Sequence, residues 1–282
     1  MNKFVELTKP RITVFILMSM AIGFVFGTHL GNPWTWFQLA NALLGTCLIA
    51  SGSAALNQWY ERDGDSLMHR TRTRPIPSGR VTANDGLIFG TVLSVLGFVE
   101  LCAMVNLLTG FLALFTLASY LFVYTPLKRR SPISTTIGAI PGAMPPLIGY
   151  AAASGHLNYE AGILFAILFV WQFPHFYAIA WMYREDYARA GIRMLPVVEP
   201  DLDSTTRRIL WFSFALVPLS VAPKFMSMAG NVYLVGAILL SAFVLYTGFQ
   251  AMIIRTLPSA RRVLLASIVY LPILYGLLAL DS

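Results

Sequence analysis

The sequence predicts an all-α, polytopic membrane protein with nine transmembrane helices, and three observations predict it. Of its 282 residues, 57% are hydrophobic and only 12% charged, which leaves too little polar surface to cover a soluble domain of this size. Apolar stretches of the roughly 20 residues needed to cross a hydrocarbon core of about 30 Å recur along the whole chain. The basic residues, finally, fall almost entirely into alternate loops.

Reading apolar runs against their breakers places the spans at about 12–30, 36–59, 86–106, 108–126, 135–153, 160–183, 208–226, 231–254 and 263–280. The first has no small-residue cleavage site and is followed at once by further apolar segments, so it reads as a retained span and not a signal peptide. The second runs into a cluster of acids and arginines. The third and fourth are divided only around Asn106–Gly110, because 86–126 is too long for one crossing unless steeply tilted. Glu100 in the third reads as a snorkelling or hydrogen-bonded structural residue near the outer third of the membrane. The fifth holds Pro141, Gly142, Pro145 and Pro146 and is expected to be irregular, since its freed backbone groups need protein or water around them. Pro174 kinks the sixth, beside Trp171, Gln172 and His175. The last three are plain apolar runs. Cys47 and Cys102 each lie inside a span as small hydrophobes, which argues against a disulfide or metal framework.

Topology follows from Lys and Arg, which concentrate in cytoplasmic loops. With the N-terminus cytoplasmic, nineteen of the twenty basic residues share one face and only Lys224 lies on the other, which supports the nine-span count. His29 and His156 then fall at the outer interface. The net charge of +7 is thereby explained by topology and an anionic substrate, not by nucleic acid. Residues 1–282 read as a single domain without low-complexity segments. The two long cytoplasmic loops, about 60–85 and 184–207, lie four helices apart, as a weak internal duplication would put them.

The chemistry-bearing residues gather at the inner end of the second span. Asn57, Glu61 and Asp65 recur at i, i+4 and i+8, so on a helix they form one stripe about 12 Å long that drifts about 40° per step. Oxygen donors on one face suit a hard divalent cation such as Mg²⁺, which takes one or two carboxylates and completes its shell with phosphate oxygens and water. The arginines beyond can grip the same phosphates. A solvated helix end whose acids and arginines merely pair with one another is the competing reading. The cost of Asn57 and Glu61 at the end of an apolar run weighs against it. Asp63 projects about 120° from Asn57 and about 160° from Glu61 and Asp65, away from the stripe.

The stretch Asn57-x-x-x-Glu61-x-x-x-Asp65, with Met68 and Arg70-Thr71, resembles the acidic signature of the UbiA superfamily of intramembrane prenyltransferases. Three further stretches resemble the branch of that superfamily that farnesylates haem. They are Thr8-Lys9-Pro10-Arg11, Tyr124-Thr125-Pro126-Leu127-Lys128-Arg129 and Trp171-Gln172-Phe173-Pro174-His175-Phe176. Arg184-Glu185-Asp186-Tyr187 and Met194-Leu195-Pro196-Val197-Val198 extend the likeness over most of the chain.

The resemblance implies a bundle around a central cavity, with Mg²⁺ held by Asn57, Glu61, Asp65 and Asp186. It implies a diphosphate bound by Arg11, Arg70, Tyr124, Lys128 and Arg129, with Asp65, Lys128 and Arg70 carrying the catalytic burden. His175, Trp171 and Gln172 would line the porphyrin site. Two departures stand out. Glu61 occupies a position where the superfamily usually has Asp, and the second acidic motif is reduced to Asp186. The implied substrates are farnesyl diphosphate and haem b, in the lipid bilayer of a bacterial-type inner membrane with the site facing the cytoplasm. A haem-A-synthesising or terminal-oxidase assembly protein is an implied partner. Rival readings are a quinone-precursor or other aromatic acceptor, and a secondary transporter, whose acids would sit nearer the midplane than one face.

Overall fold

The computed structural model describes residues 2–28 and 34–282, and among these the regular structure is entirely helical. A short α1 (Lys3–Leu7) precedes α2 (Pro10–Thr28), α3 (Trp36–Leu67), α4 (Ala83–Met104) and α5 (Leu107–Ala118). A π-helical turn, Ser119–Tyr124, carries α5 into α6 (Thr125–Leu127). Then come α7 (Ser134–Ala143), α8 (Pro145–Ser154), α9 (Tyr159–Met182), α10 (Arg184–Arg189), α11 (Leu195–Val198), α12 (Asp203–Phe225), α13 (Asn231–Ile254) and α14 (Leu257–Leu280). Counting Leu107–Leu127 as one, eight helices among the described residues are long and apolar enough to cross a membrane.

The predicted fifth span is a pair, α7 and α8, broken at Met144. Pro145 and Pro146 open α8, where missing N–H groups cost least, and neither can donate back into α7. The division of the third and fourth spans falls where expected. Asn106 caps α5 by accepting from the Thr109 N–H at 2.9 Å, which stops one helix and starts the next. The predicted end of the first span, with His29, lies outside the described residues.

Without a hydrophobic drive between helices in lipid, close packing depends on small residues. A Cβ on Gly149 of α8 would lie 1.8 Å from the Met20 carbonyl oxygen of α2, and one on Gly23 would lie 1.9 Å from that of Pro146. The two backbones are therefore in direct contact. Gly52 and Gly97 let α3 and α4 approach in the same way: Cβ atoms there would meet Gly90 and Gly45 carbonyls at 2.7 Å. A core of Ile22, Phe26, Tyr150, Leu164, Tyr233 and Tyr270 ties α2 and α8 to α9, α13 and α14. Large apolar side chains such as Val92, Phe115, Leu239 and Ile253 face outward, as a lipid-facing surface requires.

The helix that carries the acidic stripe is the longest. α3 runs past the predicted boundary at residue 59 to Leu67, so its last turns project beyond the apolar run with the stripe still helical. The loop that follows folds back on it: Thr71 Oγ1 donates to the Asp65 carbonyl at 2.9 Å, capping the helix. Arg80 closes the loop onto α1 through two hydrogen bonds to Glu6, at 2.7 and 2.9 Å.

Candidate active site

Asn57 and Asp65 are each 1% exposed and Glu61 is half-buried, so the stripe faces protein and not lipid or water. Asp63 points away, with its side chain 81% exposed. What the stripe faces is set by the π-helical turn. One extra residue per turn there swings Tyr120 and Thr125 onto Asn57, and such turns recur at functional sites. The Tyr120 hydroxyl donates to Asn57 Oδ1 at 3.2 Å, while the Asn57 amide donates to Thr125 Oγ1 at 3.3 Å. Thr125 Oγ1 in turn donates to the Tyr120 carbonyl at 2.8 Å, stitching the turn closed.

The turn also delivers Lys128, whose Nζ donates to Glu61 Oε1 at 2.9 Å and lies 4.4 Å from the centre of the Tyr124 ring. Burial alone would lower the Lys128 ammonium, but the Glu61 carboxylate outweighs it and holds the group well above its ordinary value. Arg74 NH1 donates to Asp65 Oδ2 at 2.6 Å. Glu61, Gly64, Asp65, Thr125, Lys128 and Arg129 line one pocket at this end of the bundle, and Met68 and Ile192 close its side. Gly64 gives Arg129 room: a Cβ there would sit 2.9 Å from its guanidinium.

Lys9 belongs to this group although its residue type and position gave it no role in the sequence. Its φ of 49° turns the chain between α1 and α2, a left-handed conformation that costs a non-glycine residue roughly 1–2 kcal/mol. That turn sends Nζ to Asn57 Oδ1 at 3.3 Å. Withdrawn from water, and close to the cations Arg74 and Lys128, its ammonium is pushed down to about 7. The one signal in the sequence was a lysine directly before a proline at the start of an apolar run. Tyr120 and Thr125 are likewise additions from the structure, and Arg74, one of the arginines beyond the stripe, is paired with Asp65.

Other residues singled out in the sequence lie elsewhere. Asp186 does not line the pocket with Glu61 and Asp65. Its carboxylate accepts from the His69 and Arg70 backbone N–H groups, each at 3.3 Å, and is paired with Arg189, so it anchors the loop after α3. Burial would raise this carboxyl, but those donors hold it below its ordinary value. Arg70 is exposed, stacks 5.0 Å from the Tyr183 ring centre and donates to the Tyr187 hydroxyl at 3.2 Å. Arg11 is exposed on the first turn of α2.

The third group lies deeper, on α9. Gln172 is buried and donates to the carbonyls of Ala139 and Leu168, at 3.0 and 3.1 Å, which bonds α9 to α7. Trp171 and His175, one turn apart, stack with ring centres 4.9 Å apart and both reach α14.

Residues 13–271 match the UbiA prenyltransferase family. The chain belongs to that family. Among curated UbiA relatives, the chain is 58% identical to "Protoheme IX farnesyltransferase" of Solibacter usitatus, covering 100% of this chain and 99% of that one. It is 45% identical to the protein of the same name from Koribacter versatilis, over 98% and 92%. The fold is similar to that of a digeranylgeranylglyceryl phosphate synthase, with a TM-score of 0.82 at 16% identity, covering 99% and 97%. It is also similar to a UbiA homologue from Archaeoglobus fulgidus bound to GPP and Mg²⁺, with a TM-score of 0.68 at 16% identity, covering 98% and 99%.

Among the described residues no three His, Cys, Asp or Glu side chains converge as a metal cage. Glu61 and Asp65 nevertheless line one pocket, each with one named oxygen engaged by a cation. Two carboxylates on one pocket fit Mg²⁺, which relies on substrate phosphates and water for the rest of its shell, while Asn57 Oδ1 already accepts from Tyr120 and Lys9.

Proposed function

We propose that this UbiA-family chain transfers a farnesyl group from farnesyl diphosphate to a vinyl group of haem b. Water is added in the process, giving haem O, pyrophosphate and a proton. The observation that carries the reading is the pocket at the C-terminal end of α3 in which Glu61, Asp65, Lys128 and Arg129 meet. The 58% identity to a relative named for this activity selects the acceptor.

The C1–O bond of farnesyl diphosphate breaks with its electron pair leaving on the diphosphate. Charge therefore builds on that group, and cations fixed in place before the reaction stabilise it without reorganising. Lys128, held by Glu61 and the Tyr124 ring, and Arg129, lying against Gly64, supply two such charges. Asn57, Glu61 and Asp65 are the residues to hold Mg²⁺, which when bound neutralises further diphosphate charge. The vinyl π electrons form the new C–C bond to farnesyl C1, and water captures the resulting cation beside the porphyrin ring, losing a proton. No protein nucleophile is needed. His175 and Trp171 are the residues to contact the porphyrin. The farnesyl tail, too apolar for water, runs between the helices.

The same reading takes α7 and α8 together as a ninth crossing and puts the N-terminus and the pocket on the cytoplasmic side of a bacterial inner membrane. The concentration of basic residues on one face supports this. The test is an assay of purified protein in lipid with haem b and farnesyl diphosphate, with and without Mg²⁺, read by mass. A farnesylated, hydrated haem formed only with Mg²⁺ is expected. Farnesylation of a quinone precursor with haem untouched would overturn the acceptor, and no prenylated product from either would overturn the reading.

A further inference from the structure

His175 on α9 and Ser267 on α14 meet at 2.9 Å, Nδ1 to Oγ. A serine hydroxyl has one proton, and that of Ser267 is directed at the Leu264 carbonyl at 2.7 Å. Having donated there, Oγ can only accept from His175, so Nδ1 carries the ring proton. The reverse arrangement would break the bond to Leu264 and put the ring proton on Nε2. In a neutral imidazole protonated at Nδ1, Nε2 is a bare lone pair, the form in which histidine binds a metal. Two more contacts fix the ring. The Trp171 indole stacks on it with planes 25° apart, and its Nε1 donates to the Ser267 carbonyl at 2.8 Å, tying the indole to the same residue.

We infer that Ser267 is a positioning residue for the acceptor: by accepting the Nδ1 proton it holds His175 in the tautomer whose Nε2 lone pair is free to ligate the iron of the substrate haem. This rests on the haem reading above and adds to it a residue that does not touch substrate. A partner on the far nitrogen fixes a ligating histidine's tautomer and raises its basicity, and losing such a partner typically weakens metal binding about 10–100-fold.

The experiment titrates haem b into purified protein in lipid nanodiscs. It records haem affinity, the iron–imidazole band by resonance Raman, thermal unfolding, and the KM for each substrate. Ser267→Ala is expected to weaken haem binding at least about tenfold, shift the iron–imidazole band and raise the KM for haem, leaving the KM for farnesyl diphosphate unchanged. Ser267→Thr, which keeps the hydroxyl, should restore all three. A merely structural serine would move the unfolding temperature without moving the band. Wild-type band and haem affinity in Ser267→Ala, or a Ser267→Thr variant that behaves like alanine, would overturn the inference. Should Ser267→Ala not fold, Ser267→Cys, a weak acceptor, carries the same readings. His175→Ala separates the two levels. Loss of the imidazole band there with an unaltered Ser267→Ala sinks only the role of Ser267, whereas an unaltered band in His175→Ala removes haem from this site altogether.

Discussion

Arg74 donates to Asp65 Oδ2 at 2.6 Å, so the most buried carboxylate of the stripe is neutralised by an arginine nine residues further along the chain. Asp65 is only 1% exposed, and removing one member of a buried ion pair costs more than the pair itself contributes. Arg74→Ala should therefore lower stability by about 2 kcal/mol or more. A cation bound to Asp65 offsets that loss, since any ligand of the folded state stabilises it. Mg²⁺ should raise the unfolding temperature of Arg74→Ala by more than it raises that of wild type. An equal shift in both would remove Asp65 from the metal site. Asp65→Asn, which keeps the size and loses the charge, should reduce turnover at least about 100-fold, on the scale of losing one preorganised electrostatic contact.

Lys128 makes a separate contribution. Its ammonium is fixed by Glu61 and by the Tyr124 ring, and it is aimed at the pocket where a diphosphate leaving group would lie. A hydrogen bond to a charged group is worth about 1.5–3 kcal/mol, and each 1.4 kcal/mol is tenfold in binding. Lys128→Ala should thus raise the KM for farnesyl diphosphate by about 10–100-fold, with the KM for haem unchanged. A steady-state titration of each substrate at saturating levels of the other reads the split.

Asp186 makes the loop after α3 sensitive to acid. Its carboxyl is held below the ordinary value despite its burial, by the Arg70 and His69 N–H groups and by Arg189. A depressed folded-state value means the charged form is the one the fold prefers. The anchorage is therefore complete above the ordinary aspartate value of about 4 and is lost as pH falls through the lower folded value. Trypsin cleavage within residues 68–82 should be flat from pH 8 to pH 6. Asp186→Asn should accelerate it at neutral pH by removing the charge that the loop N–H groups bind. Equal cleavage of variant and wild type would separate Asp186 from the loop.

Much of this was written in the chain, and what was not has specific causes. Hydropathy marks where an apolar run stops, not where its helix stops, so the apolar run ends near residue 59 while α3 continues to Leu67. The i, i+4, i+8 spacing holds regardless because it depends only on the helix persisting. The break between α7 and α8 was legible in Pro145 and Pro146, whose missing N–H groups act locally. Lys9 and Tyr120 were not legible as site residues, nor was the pairing of Arg74 with Asp65. Each arrives through a long-range turn of the backbone: a left-handed φ, a π-helical turn, a loop folding back. No periodicity records such turns. Asp186 carried an acidic motif that reads the same whether it binds a metal or two backbone N–H groups, and only the fold tells which donors surround it.

The contact of α2 with α8 yields the sharpest packing test. Gly149 lies directly over the Met20 carbonyl, and a methyl group there would sit 1.8 Å from a backbone oxygen that cannot move without bending α2. Overpacking a well-filled core costs about 1–3 kcal/mol where side chains can yield, and more where only backbone can. Gly149→Ala should consequently cost at least about 3 kcal/mol, seen as a lowered unfolding temperature and poor recovery from membranes. Gly162, in the first turn of α9, has nothing within 4 Å of where a Cβ would stand. Gly162→Ala should be neutral or slightly stabilising, since alanine favours a helix interior by roughly 1 kcal/mol over glycine. If the two variants unfolded together, the direct backbone contact between α2 and α8 would be wrong, because helix propensity alone gives both substitutions the same sign.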